Sequence, residues 1–337
     1  MACAKRSNGI LRTGSGGNAC ARVPIAANAS ASQRVLTDMR HARLLIIGAQ
    51  GQVGRELAAR GDEAGFSITA LARNDLNIAD GDAVARIITE AAPDITINAA
   101  AYTAVDRAES EPEAAYAVNA AGAGHIAKAC ADADIPFFHI STDYVFDGMG
   151  IRPYREGDPI APQGVYGASK AAGEEAVRGA AERHLILRTS WVFSSHGNNF
   201  VKTMLRLAGE RDELAVVNDQ QGCPTAAGDI AEALLTLAKR ALSSPGDFPW
   251  GTYHFCNSGA TTWHGFAGAI VKNASRRGGR LVPVRGIPTT DYPTPATRPA
   301  YSVLDCRKFE QNFGFAPRHW ESALEEVLDA LVGQAQQ

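Results

Sequence analysis

The sequence predicts an α/β fold: a doubly wound parallel sheet with a smaller C-terminal substrate-binding α/β domain. Three observations predict it. Short apolar runs alternate with stretches of helical periodicity from residue 43 to residue 189. A glycine-rich turn joins the first run to the first helix. Beyond residue 190 the rhythm gives way to segments rich in Pro, Thr and Gly. Strands that alternate with helices of 10–20 residues imply βαβ units with right-handed crossovers.

Each element has its own signal. Residues 44–47 form an apolar run ending at Gly48, as a strand buried on both faces does. Val53, Leu57 and Ala58 then carry helical spacing. Strand 67–72, helix 82–91 and strand 94–99 follow. Residues 113–134 read as one long Ala-rich helix, 136–141 as a strand, 163–178 as a helix and 184–187 as a strand. In the second half helices are expected at 200–210, 229–241, 263–275 and 320–331, with loops at 218–225 and 286–299. The expected organisation is a disordered extension over 1–40, a dinucleotide-binding domain over 41–189, and a mainly substrate-binding domain over 190–337. Ligands of open α/β sheets sit beyond the carboxyl ends of the strands, so the second half should supply substrate contacts.

Composition sets the outer limits. The 337 residues include 33 Lys+Arg and 36 Asp+Glu, giving a net charge of −3, so no basic field draws the chain to nucleic acid or to an acidic membrane. No apolar run approaches the ~20 residues that span a bilayer. Six cysteines are scattered without a CxxC pair, which argues against a disulfide framework or a zinc site and for a reducing, cytoplasmic setting. Before Asp38 the chain carries Lys5, Arg6, Arg12, Arg22 and Arg34 and no acidic residue. A disordered extension accounts for this; a transit peptide or a start at Met39 are the alternatives.

The turn Gly48-Ala49-Gln50-Gly51-Gln52-Val53-Gly54 is a GxxGxxG variant of the dinucleotide fingerprint, so the fold is Rossmann-like. Glycine allows the tight turn and a close backbone approach to a pyrophosphate, and the following helix N-terminus favours that negative charge. At the end of the second strand Arg73 precedes Asp75. An arginine there suits the 2′-phosphate of NADPH, whereas an acid suits the ribose hydroxyl of NADH, so NADPH is favoured and NADH stays possible.

Tyr166 and Lys170 stand at i,i+4 on a predicted helix and share a face. A nearby ammonium favours a phenolate, so the pair is expected to exchange a proton with a carbonyl near neutral pH. Thr142 ends a predicted strand 24 residues earlier and offers a hydroxyl to the same oxygen. Gly turn, Thr and Tyr-x-x-x-Lys in this order resemble the extended short-chain dehydrogenase/reductase family.

Longer segments narrow the resemblance. Residues 98–106 (Asn-Ala-Ala-Ala-Tyr-Thr-Ala-Val-Asp), 141–148 (Ser-Thr-Asp-Tyr-Val-Phe-Asp-Gly), 188–193, 218–225 and 292–299 are similar to those of the dTDP-4-dehydrorhamnose reductases, over about residues 43–330. The resemblance implies NADPH-dependent reduction of the C4 ketone of a sugar nucleotide, dTDP-4-dehydro-β-L-rhamnose. It implies Tyr166 as proton donor, Lys170 as ribose ligand and tuner of Tyr166, and Thr142 as polariser of the C4 oxygen. It assigns Gly48, Gln50, Gly51, Gln52 and Val53 to the cofactor, with Asp75 and Leu76 near adenine and Ala100, Ala101, Tyr102 and Thr103 under pyrophosphate and ribose. Asp143 and Trp191 would meet the sugar, and Asn198, Asn199 and Arg298 the diphosphate or thymidine. Some members dimerise through Mg²⁺ held by glutamates; this chain offers Glu56, Gly228-Asp229 and Arg307 at those places, and an arginine is no oxygen ligand. Mg²⁺ is therefore doubtful, no metal site is expected, and monomer and homodimer stay open.

Two kinds of rival share the scaffold. A sugar-nucleotide dehydratase has a glutamate after the strand-end aspartate, where this chain has Tyr144, and an epimerase holds NAD tightly. A non-catalytic subunit similar to the regulatory subunit of methionine adenosyltransferase is the other; Thr142, Tyr166 and Lys170 argue for catalysis.

Overall fold

A computed structural model describes residues 42–335. The expectations for residues 1–40, with Cys3 and Cys20, lie outside the described residues. The centre is a six-stranded, all-parallel, Rossmann-like sheet. Its strands are β1 (Ala42–Ile47), β2 (Phe66–Leu71), β3 (Ile95–Asn98), β4 (Phe137–Thr142), β5 (His184–Thr189) and β6 (Gly251–His254), in the spatial order β6-β5-β4-β3-β1-β2. The order reverses beside β1, between β3 and β2. A crevice opens there beyond the strand ends.

Alternation along β1 shows why its apolar run is continuous. Leu44 and Ile46 enter one core with Val53, Leu57 and helix 227–243, while Leu45 and Ile47 enter the other with Val84, Ile88 and Ile126. Both faces of the strand are covered by helices. The principal helices are α1 (Gln52–Gly61), α2 (Gly81–Ala91), α3 (Ala123–Asp132), α4 (Val165–Ala180), α5 (Phe200–Glu210), α6 (Ala227–Ser243), α7 (Trp263–Ser275) and α8 (Trp320–Ala335). Side chains of Asp80, Asn199 and Thr262 cap α2, α5 and α7 by accepting from backbone N–H groups of their first turns.

Several elements differ from expectation. The helix expected over 113–134 is interrupted by a π-helical turn, Ala117–Gly122, between Pro112–Tyr116 and α3. The wider turn carries Asn119 inward, where it donates to Ser169 Oγ on α4 at 3.0 Å. The loop expected over 218–225 contains two short strands, Gln221–Gly222 and Thr225–Ala226. Leu214–Val217 pairs in parallel with Val284–Ile287, so the loop expected from 286 begins inside a strand. After residue 190 the chain also returns to the main sheet: α6 packs on its face and β6 extends its edge. A third core, built from Phe193, Met204, Val216, Phe266, Ile270 and Leu324, holds the C-terminal lobe together. Cys223, Cys256 and Cys306 gather as free thiols, with the last two sulfurs 3.6 Å apart. Among the described residues no helix is long and apolar enough to cross a membrane.

Candidate active site

The glycine turn follows β1 and lies flat against the end of β3. Gly48 has φ +91°, and a Cβ on it would stand 2.4 Å from Ala100 N, so only glycine fits. Its N–H and that of Ala49 donate to Leu71 O on β2, which ties the turn down. Helix α1 starts at Gly51 with no side-chain cap, leaving its first-turn N–H groups available.

Three adjoining cavities run from this turn across the sheet. The first, about 210 Å³, is lined by Gly48, Gln50, Gly51, Arg73, Leu76 and Tyr102. It shares Gln50, Gly51, Ala100 and Ala101 with a second of about 570 Å³, lined also by Gln52, Val53, Thr103, Thr142, Asp143, Tyr166, Lys170, Trp191, Asn198 and Asn199. Tyr144 and Trp263 form walls between the second and a third of about 430 Å³, which holds Asp106, Phe200, Tyr292 and Arg298. Every residue expected at the site therefore lines this crevice except Asp75. That carboxylate turns back to accept from Ala72 N at 2.8 Å and closes its own turn. Arg73, exposed at the rim, has no ion-pair partner among the described residues. The glycine cradle, uncapped helix and unpaired arginine fit a phosphorylated dinucleotide.

Thr142 and Asp143 end β4. Thr142 Oγ1 donates to Asp143 Oδ1 at 2.9 Å, and Thr142 lines the same cavity as Tyr166. Helix α4 brings Tyr166 and Lys170 beneath the same cavity, and the Tyr144 ring packs edge-on against Tyr166 with centroids 5.4 Å apart. The electrostatics depart from expectation. Lys170 does not make Tyr166 acidic: burial, with the Asp143 charge adding to it, pushes the phenol up to about 12. The reason is depth. Lys170 is 1% exposed, its Nζ donates to Ile140 O at 2.6 Å, and burial brings the amine down to about 8.

Asp143 is 2% exposed, its Oδ2 has no partner, and burial raises its pKa to about 6. A folded pKa above the unfolded value means the folded state holds the proton more tightly. The associated stability is complete below pH 3.8 and is lost as pH rises through about 6. An Asp143→Asn variant should therefore gain stability relative to the parent between about pH 4 and about pH 7, read as the difference of denaturation midpoints. A difference independent of pH contradicts this.

Two further side chains depart from their expected use. The Asn199 carboxamide is occupied: Oδ1 caps α5 by accepting from Lys202 N, and Nδ2 donates to Gln52 Oε1 at 3.0 Å and Ser194 O at 2.7 Å. It latches α1 to α5 and leaves Asn198 as the freer of the pair. Arg298 Nη2 donates to Asp106 Oδ2 at 2.7 Å, while its buried Nη1 has no partner. Trp191 is no simple core aromatic. It stacks on Trp263 at 3.5 Å, and Gly222 lies so close that a Cβ there would meet the indole at 2.5 Å. Sequence reasoning missed Trp263, Asn98 and His139, whose only signal was the chain segments around them.

The profile described as RmlD substrate binding domain matches residues 42–332. The chain belongs to the RmlD family, that of the dTDP-4-dehydrorhamnose reductases. It is 46% identical to the dTDP-4-dehydrorhamnose reductase of Sinorhizobium fredii over 290 residues, covering 86% of this chain and 98% of that one. It is 44% identical to the Escherichia coli enzyme of the same name, covering 86% and 97%. The crystal structure of the Bacillus anthracis dTDP-4-dehydrorhamnose reductase in complex with NADP superposes with a TM-score of 0.80 at 36% identity, covering 86% of this chain and 99% of that one. This reductase is thus an oxidoreductase by family. The positions considered for Mg²⁺ are otherwise engaged: Glu56 pairs with Arg60, Asp229 with Arg318, and Arg307 with Asp305.

Proposed function

We propose that this reductase converts dTDP-4-dehydro-β-L-rhamnose to dTDP-β-L-rhamnose with NADPH, Tyr166 giving the proton to the C4 oxygen. The observation that carries the reading is the meeting of Thr142, Tyr166 and Lys170 in one cavity continuous with the glycine cradle and Arg73. Bound along the cradle, a reduced nicotinamide supplies hydride to the ketone carbon. The chain does the rest. Gly48, Gln50, Gly51, Gln52 and Val53 hold the pyrophosphate, and Ala100, Ala101, Tyr102 and Thr103 form the bed beside it. Thr142 turns its hydroxyl to the C4 oxygen, and Tyr166, neutral because burial holds its pKa at about 12, has a proton to give at neutral pH. Asp143 and the Trp191–Trp263 stack face the sugar, and the unpaired Nη1 of Arg298 suits the diphosphate.

Incubation with dTDP-4-dehydrorhamnose and NADPH should give stoichiometric oxidation of the cofactor and a rhamnosyl product identifiable by NMR. No net oxidation defeats the proposal. The NADPH preference rests on Arg73: a charge-assisted hydrogen bond of about 1.5–3 kcal/mol predicts that Arg73→Ala lowers the NADPH-to-NADH ratio of kcat/KM by about 10- to 100-fold. An unchanged ratio removes Arg73 from the site.

A further inference from the structure

Three of the described cysteines meet at a cavity that the chemistry above does not use. It holds about 400 Å³ and is lined by Cys223, Cys256, Cys306, Arg152, Arg155 and Asp305 among others. It shares no lining residue with the three cavities of the active site. Cys256 lies two residues beyond β6. Cys306 follows a segment clamped to the loop after β4, where Tyr154 N–H donates to Val303 O and Asp305 N–H to Tyr154 O, both at 2.8 Å.

The Cys256 and Cys306 sulfurs are 3.6 Å apart. Cys256 N–H donates to Cys306 Sγ at 3.3 Å, and the Cys306 thiol donates back to Cys256 O at 3.8 Å. The Cys306 side chain is therefore held over its partner's backbone. A disulfide sets its sulfurs about 2.05 Å apart, so closure needs an approach of about 1.5 Å, the scale of a side-chain rotation.

The three thiols are not equivalent. Cys223 and Cys256 are 3% and 2% exposed, whereas Cys306 is half-buried. Contact with Cys223 and Cys306, with burial added, holds the Cys256 thiol well above its ordinary value, so Cys256 is a poor first nucleophile. A reagent entering the cavity from solvent meets Cys306 first, with Cys256 already against its sulfur. Cys223 competes for Cys256, whose contact lowers the Cys223 thiol, but its burial keeps it from the entering reagent.

We propose that Cys256 and Cys306 are a dithiol modification site, closed to an intramolecular disulfide by a small organic disulfide that enters this cavity. The Cys306 thiolate attacks one sulfur of the reagent, forming a mixed disulfide and releasing the first thiolate. Cys256 gives up its proton and attacks Cys306 Sγ, and the second thiolate leaves. Two protein thiols are oxidised, one small disulfide is reduced to two thiols, and the two protons end on those thiols. In a reducing setting the pair stays open. The closed bond joins residues 50 apart and ties the end of β6 to the segment beside Tyr154. The inference does not depend on the proposed function.

The test uses the full, folded chain with hydroxyethyl disulfide as the reagent. Remaining thiols are blocked, the protein is digested without reduction, and the peptides are read by mass spectrometry. The expected product joins the peptides holding Cys256 and Cys306 and disappears on adding dithiothreitol. Cys223→Ser should keep this cross-link. Cys256→Ser should stop at a single mercaptoethanol adduct on Cys306, and Cys306→Ser should leave Cys256 unmodified. No cross-link in the parent, a stable adduct on its Cys306, or a Cys223–Cys256 bond overturns the proposal. A cross-link that forms only in denaturant overturns it as well. Because the parent's own peptides decide the matter, the result stands even where a variant fails to fold.

Discussion

Replacing Tyr166 with Phe should lower kcat/KM by about 10²- to 10⁴-fold, the usual contribution of a positioned general acid. The substitution removes one oxygen and keeps the ring, so the edge-on packing against Tyr144 survives. Thr142 keeps its hydroxyl anchored on Asp143 Oδ1, so the loss should not propagate into β4. Dinucleotide affinity, read by fluorescence titration, should remain within a few-fold of the parent because the glycine cradle lies elsewhere in the crevice. The pH profile adds a second check. With the parent phenol held near 12, the donor is loaded across neutral pH, and its deprotonation should not limit activity there. Turnover unchanged in Tyr166→Phe would refute the proton-donor role.

How far the sequence could be read follows from the range of each interaction. Strand β1 was legible because both of its faces are buried, and Leu44, Leu45, Ile46 and Ile47 therefore say so locally. Strand β6 was not: it is an edge strand reading Gly-Thr-Tyr-His, polar enough to pass for a loop. The π turn at Ala117–Gly122 was hidden because Ala-rich helix sequence has no residue that demands it; its cause is the packing of Asn119 against α4, where Gly173 admits the close approach. The site divides in the same way. Tyr166 and Lys170 were visible as an i,i+4 pair, but the depth that separates their ends depends on β4. The Trp191–Trp263 stack joins residues far apart in the chain, and the Asn98–His139 contact spans 41 residues between two strands. Local spacing carries no trace of either.

Removing the carboxylate of Glu174 should destabilise the protein by about 3–5 kcal/mol, the cost of stranding a buried partner charge. Glu174 sits on the inner face of α4 with a fully buried side chain, accepting from Ser141 Oγ at 2.6 Å and from Arg188 Nε and Nη2 at 2.8 and 2.6 Å. Arg188 is 1% exposed, lies over the Phe146 ring and has a neutral His254 beside it, so among the described residues no other carboxylate pairs with it. In Glu174→Ala the guanidinium is left without its bidentate partner, and the fall should be read as a lower denaturant midpoint. Replacing both members by apolar residues, Arg188→Met with Glu174→Leu, should recover most of the loss, because an apolar pair of similar volume carries no desolvation penalty. The pH dependence has a definite sign. Arg188 and Ser141 hold the Glu174 carboxyl below its ordinary value of 4.5, so its stabilisation is present above that value and disappears as pH falls through the lower folded pKa. Glu174→Gln should lack this acid limb. Since α4 also carries Tyr166 and Lys170, the ion pair anchors the reacting groups to β4 and β5. A Glu174→Ala protein that still folds should therefore lose more in kcat than in KM. Equal stability of the parent and Glu174→Ala would mean that Arg188 finds another anion or water, against its burial.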